Sequence, residues 1–292
     1  MIEFRDLLEK EHIDPAGVIL ARHRPNAKEL RQALPWMVTE REELFETFQS
    51  SHRKPLETAL TRATYLASFI GLDPAEAVWV GLYRVSGWKP LSRTQYEESD
   101  LYRELREYGH LRAAEIDERD DTLLFNLEKM TFYEDWKGRL IIEWPGLERS
   151  WWRRAHKKSY PVKCITRDSQ FALPMPDWRS LRLSWMALKR LPKAWEAQLL
   201  QWRGIYLISD NASGKKYVGS AGGASNLFGR WQNYASTGHG GNALLKRINP
   251  ENLEFSILER VSPDAPLDEL ISLENSWKIR LNTMAPAGLN AN

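Results

Sequence analysis

The residue most in need of a chemical explanation is Glu274. It occupies the i+4 place of an apolar row whose other members are Leu270, Trp277 and Leu281, on a helix expected from about Leu267 to Leu281. A carboxylate on a core-facing stripe is costly unless it is ion-paired or holds a cation. Two explanations stand open: a bond to an arginine such as Arg230 or Arg280, or a divalent-ion site. Arg230 and Tyr234 lie four apart and share a face of a helix starting after Ser225. His239 sits in the glycine-rich loop that follows. A second chemistry is spread over the middle of the chain, where Lys and Arg interleave with aromatic residues. Residues 137–203 hold 15 Lys/Arg against 5 Asp/Glu, while residues 1–136 hold 18 against 26 and residues 204–292 hold 8 against 8. Eight of the thirteen tryptophans fall between Trp136 and Trp202. Cations with stackable rings suit a phosphate-rich polymer bearing unpaired bases, whereas a solvated face over a tryptophan-rich core is the plainer alternative.

These groups must be positioned by two kinds of framework. From Gly204 the pattern is compact: strand Gly204–Ser209, a turn, strand Lys216–Ser220, the helix carrying Arg230, strand Leu253–Glu259 and the helix carrying Glu274. Upstream, Val18–Leu20, Tyr65–Ile70, Ala77–Val85, Arg139–Trp144 and Tyr160–Ile165 are short β-branched or aromatic runs, and no βαβ rhythm separates the last four. They predict a mostly antiparallel sheet or small barrel with helices, an α+β chain overall. Leu173–Asp177 reads as an extended break, Trp185 to Trp202 as one helix, and the domain boundary as near residue 200, giving a 1–200 domain and a 203–292 domain.

Composition narrows the class. The chain has 292 residues, a net charge of +2 and one cysteine, which excludes an internal disulfide and a cysteine zinc cluster. Cys164 is expected to be packing. No apolar run approaches the roughly 20 residues of a membrane span, and the acidic start lacks the order of a secretory signal, so a cytoplasmic protein without a membrane partner is expected.

Gly204-Ile205-Tyr206 followed by Tyr217-Val218-Gly219 resembles the paired signature of the GIY-YIG endonuclease family, with the remaining family elements in register. The resemblance covers residues 203–292 and implies a three-stranded α/β sandwich. It also implies catalytic roles for Tyr206, Tyr217, Arg230, Tyr234 and Asn290, and a metal role for Glu274 with Mg2+ or Mn2+; His239, in its exposed loop, is a separate candidate for contacting DNA phosphate or assisting the base. Ser220 departs from the lysine that excision-repair members carry, and Lys215 or Lys216 is the candidate replacement. In phosphodiester hydrolysis one tyrosine would take the proton of the attacking water, Arg230 would grip a non-bridging oxygen, and the ion at Glu274 would stabilise the leaving oxygen. Between Tyr206 and Tyr217 the base stays open.

Catalytic modules of this family take their target choice from an attached domain. The N-terminal runs have a weaker resemblance to PUA-like readers of modified bases, with Tyr65, Trp79 and Tyr83 as a base pocket. Arg149, Trp151, Trp152, Arg153, Arg154, Lys157, Lys158 and Lys216 are the expected contacts to double-stranded DNA. The expectation is thus a divalent-metal-dependent DNA endonuclease for restriction or phage defence, with modified DNA as a target and a homodimer on DNA as an assembly. A homing or repair nuclease, or a catalytically weak DNA-binding protein, is the alternative.

Overall fold

The proline-rich break at Leu173–Asp177 is where the chain divides. The computed structural model describes residues 1–145 and 151–291, and it forms one unit over Met1–Leu173 and another from Pro174 onward. Residues 174–202, placed with the first domain by a boundary near residue 200, pack into the second: Leu181, Leu183, Leu188, Leu191 and Leu199 are buried in one cluster with Tyr206 and Ile208. The single helix expected from Trp185 to Trp202 is two helices, Trp185–Leu188 and Lys193–Gln201. Pro192 has no N–H to continue the first and stands at the N-cap of the second.

The first unit is built on strands β1 (Val18–His23), β2 (Tyr65–Ile70), β3 (Glu76–Leu91), β4 (Thr122–Met130), β5 (Leu140–Glu143), β6 (Trp152–Arg154) and β7 (Val162–Ile165). Their order is β6-β1-β2-β3-β5-β7, with β4 also on β3. The β1–β2 pair is parallel and the other pairs are antiparallel. Parallel pairing needs a long crossover, supplied here by helices Lys28–Glu40, Glu42–Gln49 and Lys54–Leu60. Cys164 is exposed on β7, so it is not core packing.

One irregularity removes the expected base pocket. Ser68 pairs with Gly81 and Phe69 with Trp79, leaving Val80 as an extra residue in β3. A bulge of this kind interrupts the alternation of side chains, so Trp79 and Tyr83 do not share a face. Trp79, fully buried, packs against Phe4, Phe69 and Phe132 at 5.4, 5.1 and 5.7 Å between ring centroids. Tyr83, also fully buried, lies in a separate cluster with Leu56, Leu60 and Leu66. Tyr65 is half-buried against the Trp79 cluster. The three rings are core residues of two layers and do not converge on a cavity.

The tryptophan-rich basic segment forms the β6 edge. Arg153 pairs with Leu20 of β1, and its guanidinium lies 5.8 Å from the Trp144 ring centroid. Trp151, Trp152 and Arg154 are half-buried, and Lys157 and Lys158 are exposed. Arg149 lies outside the described residues. No helix among the described residues is long and apolar enough to cross a membrane.

The second unit adds β8 (Arg182–Ser184), β9 (Arg203–Asp210), β10 (Lys216–Ala221) and β11 (Leu253–Val261), in the order β10-β9-β11-β8. The short β8 extends the expected three-stranded sheet by one edge strand. Strand alternation sorts the two faces. Tyr206, Ile208 and Tyr217 pack toward the Asn226–Thr237 helix, whereas Ile205 and Val218 pack toward Leu270 of the Leu267–Arg280 helix.

Candidate active site

The β9–β10 hairpin pairs Tyr206 with Gly219 and Tyr217 with Ile208. The two strand glycines of this hairpin, Gly204 and Gly219, are required by close approach. A Cβ on Gly219 would overlap the Tyr206 ring and hydroxyl, and one on Gly204 would overlap the Glu259 carbonyl of β11. The first glycine thus lets the Tyr206 side chain lie flat across β10. There its ring centroid is 6.4 Å from that of Tyr217.

The Asn226–Thr237 helix covers this face and delivers three more groups. Trp231 is fully buried, 6.5 Å from the Tyr206 ring. The Tyr234 hydroxyl is 3.1 Å from the Tyr206 hydroxyl. Arg230, half-buried one turn before Tyr234, brings its charge to both of these tyrosines and to Tyr217. Burial pushes the Tyr206 and Tyr234 hydroxyls well above the ordinary tyrosine range, and the Arg230 guanidinium opposes that rise in both. Tyr206 is 0% exposed and Tyr217 is 9% exposed. Four expected site residues, Tyr206, Tyr217, Arg230 and Tyr234, therefore form one polar cluster.

Glu274 reaches the sheet from the other side. By alternation Ser220 shares the face of Val218, and the Ser220 hydroxyl donates to one Glu274 carboxylate oxygen. Lys278 pairs with the other at 2.8 Å, one helical turn away. Of the two partners open in the sequence, neither Arg230 nor Arg280 holds this carboxylate. The cation near Ser220 is Lys278, which sequence reasoning missed, although its i+4 spacing from Glu274 was a readable signal. Lys215 instead donates to the Pro286 carbonyl at 3.1 Å, and Lys216 is exposed at the start of β10.

Among the described residues no three His, Cys, Asp or Glu side chains converge as a metal cluster. The Glu274 side chain is 18% exposed and offers one carboxylate beside a hydroxyl. That donor set fits an ion that keeps most of its waters, as Mg2+ does, better than a tetrahedral zinc site. Lys278 would have to share or yield its carboxylate oxygen.

The last two expected residues are engaged elsewhere. The Asn290 carboxamide accepts from the Val218 N–H at 2.9 Å and donates to the Val218 carbonyl at 2.8 Å, acting as a short strand along the edge of β10. His239 accepts the Gly241 N–H at 2.9 Å within its own loop.

Residues 189–288 match the GIY-YIG catalytic domain. Among solved structures, the chain is 30% identical to the catalytic domain of the homing endonuclease I-TevI, over 31% of this chain and 98% of that one, with a TM-score of 0.26. A mutant form of the catalytic domain of the intron endonuclease I-TevI is 28% identical over 31% of this chain and 94% of that one, also with a TM-score of 0.26. No curated protein matches the chain. Through residues 189–288, where the paired signature on the β9–β10 hairpin is followed in order by the arginine and the glutamate on two helices packed on the sheet, the chain belongs to the GIY-YIG nuclease family.

Proposed function

We propose that the chain is a divalent-metal-dependent DNA endonuclease serving restriction or phage defence, with the first unit choosing the DNA and the second cutting it. The observation that carries this reading is the cluster of Tyr206, Tyr217, Tyr234 and Arg230 on one face of the matched domain. Hydrolysis of a phosphodiester needs a group to remove a proton from water and a cation to hold the phosphate oxygens as charge builds. Arg230 supplies the planar fork for two such oxygens. A tyrosine of the pair Tyr206 and Tyr217 takes the proton. Burial resists ionisation of Tyr206, so as the base it depends on Arg230, whereas Tyr217 is the more accessible of the two. Glu274 with Ser220 would hold a divalent ion, which when bound would supply Lewis acidity. The basic β6 edge supports DNA as the polymer, through Arg154, Lys157 and Lys158. One such site per chain cuts one strand at a time, so a double-strand break takes two copies or two successive nicks.

The test is incubation of the full chain with phage genomic DNA, cytosine-modified and unmodified, in Mg2+, in Mn2+ and in chelator. Cleavage should need the ion, and Glu274→Ala should lose it while still binding DNA. Cutting in chelator, or undiminished cutting by Glu274→Ala, overturns the metal reading. Cleavage confined to one long site in every DNA tested replaces restriction with a homing activity.

A further inference from the structure

A cavity of about 490 Å3 opens in the first unit, within the roughly 300–1,000 Å3 range of small-molecule sites. Its wall is aromatic and comes from separate elements. His23 ends β1, Phe48 lies in the Glu42–Gln49 helix, and His52 follows that helix. His110 follows the Asp100–Glu107 helix, and Trp151 precedes β6. The rings pack in a continuous series: Phe48 to His110 at 5.9 Å, His23 to Phe48 at 5.3 Å, His23 to His52 at 6.4 Å and His52 to Trp151 at 5.7 Å between centroids. His23 and His52 are 3% and 5% exposed, and the Nε2 atom of each has no hydrogen-bond partner. Burial lowers His23 to about 3, and His52 and His110 to about 4, so all three are neutral near pH 7. A neutral imidazole carries one donor and one acceptor, and a buried polar atom without a partner carries a desolvation cost that a suitable ligand edge can recover. No metal cluster forms here among the described residues. Arg24 and Arg53 also line the cavity, and Arg153 and Arg154 follow Trp151 in the chain.

Flat stacking surfaces, edge groups of both hydrogen-bonding senses and arginines nearby describe a particular ligand chemistry. We propose that this cavity takes the heteroaromatic base of a nucleotide, stacked among Trp151, Phe48 and His110 and read at its edge by His23 and His52, with the arginines serving its phosphates. The base comes from an unpaired nucleotide of DNA or from a free nucleotide. Only the first source rests on the proposed function.

The experiment measures binding by the full chain in chelator, so that no cutting occurs. The probes are a fluorescent duplex that is fully paired, the same duplex with one nucleotide opposite an abasic position, and the four free deoxynucleoside monophosphates. The variants are Trp151→Ala and Leu111→Trp. The second fills the mouth from a rim position that is 63% exposed, and so tests the cavity even if the first perturbs folding. DNA as the source predicts about tenfold tighter binding of the duplex with the unpaired base, from the stacking of one base, lost in both variants, with paired-duplex binding unchanged in Leu111→Trp. A free nucleotide as the source predicts monophosphate binding that both variants abolish. Equal binding of the two duplexes together with no monophosphate binding overturns the proposal, as does a preference that survives both variants. Those results would leave paired-duplex binding and Mg2+-dependent cutting intact, which are the observations that fail if the nuclease reading is wrong.

Discussion

Each unit buries a group of polar aromatic side chains, and the two groups differ in charge. In the second unit the tyrosines of β9, β10 and the following helix face the Arg230 guanidinium, and Glu274 and Lys278 form an ion pair one turn apart on the helix over the other face of the sheet. In the first unit His23, His52 and His110 are held neutral by desolvation among other rings. A site that must stabilise charge appearing during a reaction needs charge already fixed beside it. A site that only distinguishes ligands works with neutral donors and acceptors, whose desolvation is cheaper. The difference separates a place suited to reaction from a place suited to selection.

The sharpest way to break this contrast is to alter the charged side. Arg230→Lys keeps the charge but loses the fork, and cleavage should fall by about 10^2–10^3-fold with DNA binding retained. Wild-type turnover in that variant would make Arg230 a structural partner of the tyrosines.

Acid addresses the neutral side. The folded-state values of the three buried histidines lie below the unfolded value of 6.5. The unfolded chain therefore binds more protons between about pH 6.5 and 4, and stability present above that window is lost as pH falls through it. At pH 5 the loss is at most about 2 kcal/mol for each imidazole. The one histidine in the sequence of the second unit, His239, is half-buried. Calorimetry from pH 7.5 to 5 should therefore lower the transition of the first unit more than that of the second, and parallel shifts would contradict the assignment.

Two smaller effects refine the comparison. Asn290→Ala leaves the Val218 amide groups without their side-chain partner, and urea unfolding of the second unit should lose about 1–2 kcal/mol. An unchanged midpoint would show that water replaces the carboxamide. Lys278→Met removes the ammonium that competes for Glu274, and the Mg2+ concentration for half-maximal cleavage should drop by about tenfold, the equivalent of 1.4 kcal/mol. A rise, or a loss of cleavage at saturating Mg2+, would place Lys278 on the phosphate instead.

The second unit was readable because its features are local. Hairpin, helix and final helix follow within ninety residues, and the apolar row through Leu270 and Trp277 made Glu274 visible as an intruder. Lys278 escaped notice because a lysine on a helix ordinarily needs no explanation, and its pairing with Glu274 shows only once the helix is placed on β10. In the first unit the strand runs were readable but their partners were not. The parallel β1–β2 pairing is set by three helices between strands forty residues apart in the chain, and the extra Val80 that parts Trp79 from Tyr83 leaves no mark in the sequence. The histidine-lined cavity draws on residues from 23 to 151, too widely separated for any spacing rule.

The carboxamide of Asn290 also bears on self-association. A free sheet edge invites a strand from a second copy, and β10 is the terminal strand beside the tyrosine cluster. The Leu289 N–H already donates to the Lys216 carbonyl, and Asn290 occupies both amide groups of Val218. The chain thus blocks its own edge at the point where continuous pairing with a second copy would have to run. If two copies meet to cut both strands of a duplex, they must join through another surface, leaving the tyrosines to the substrate.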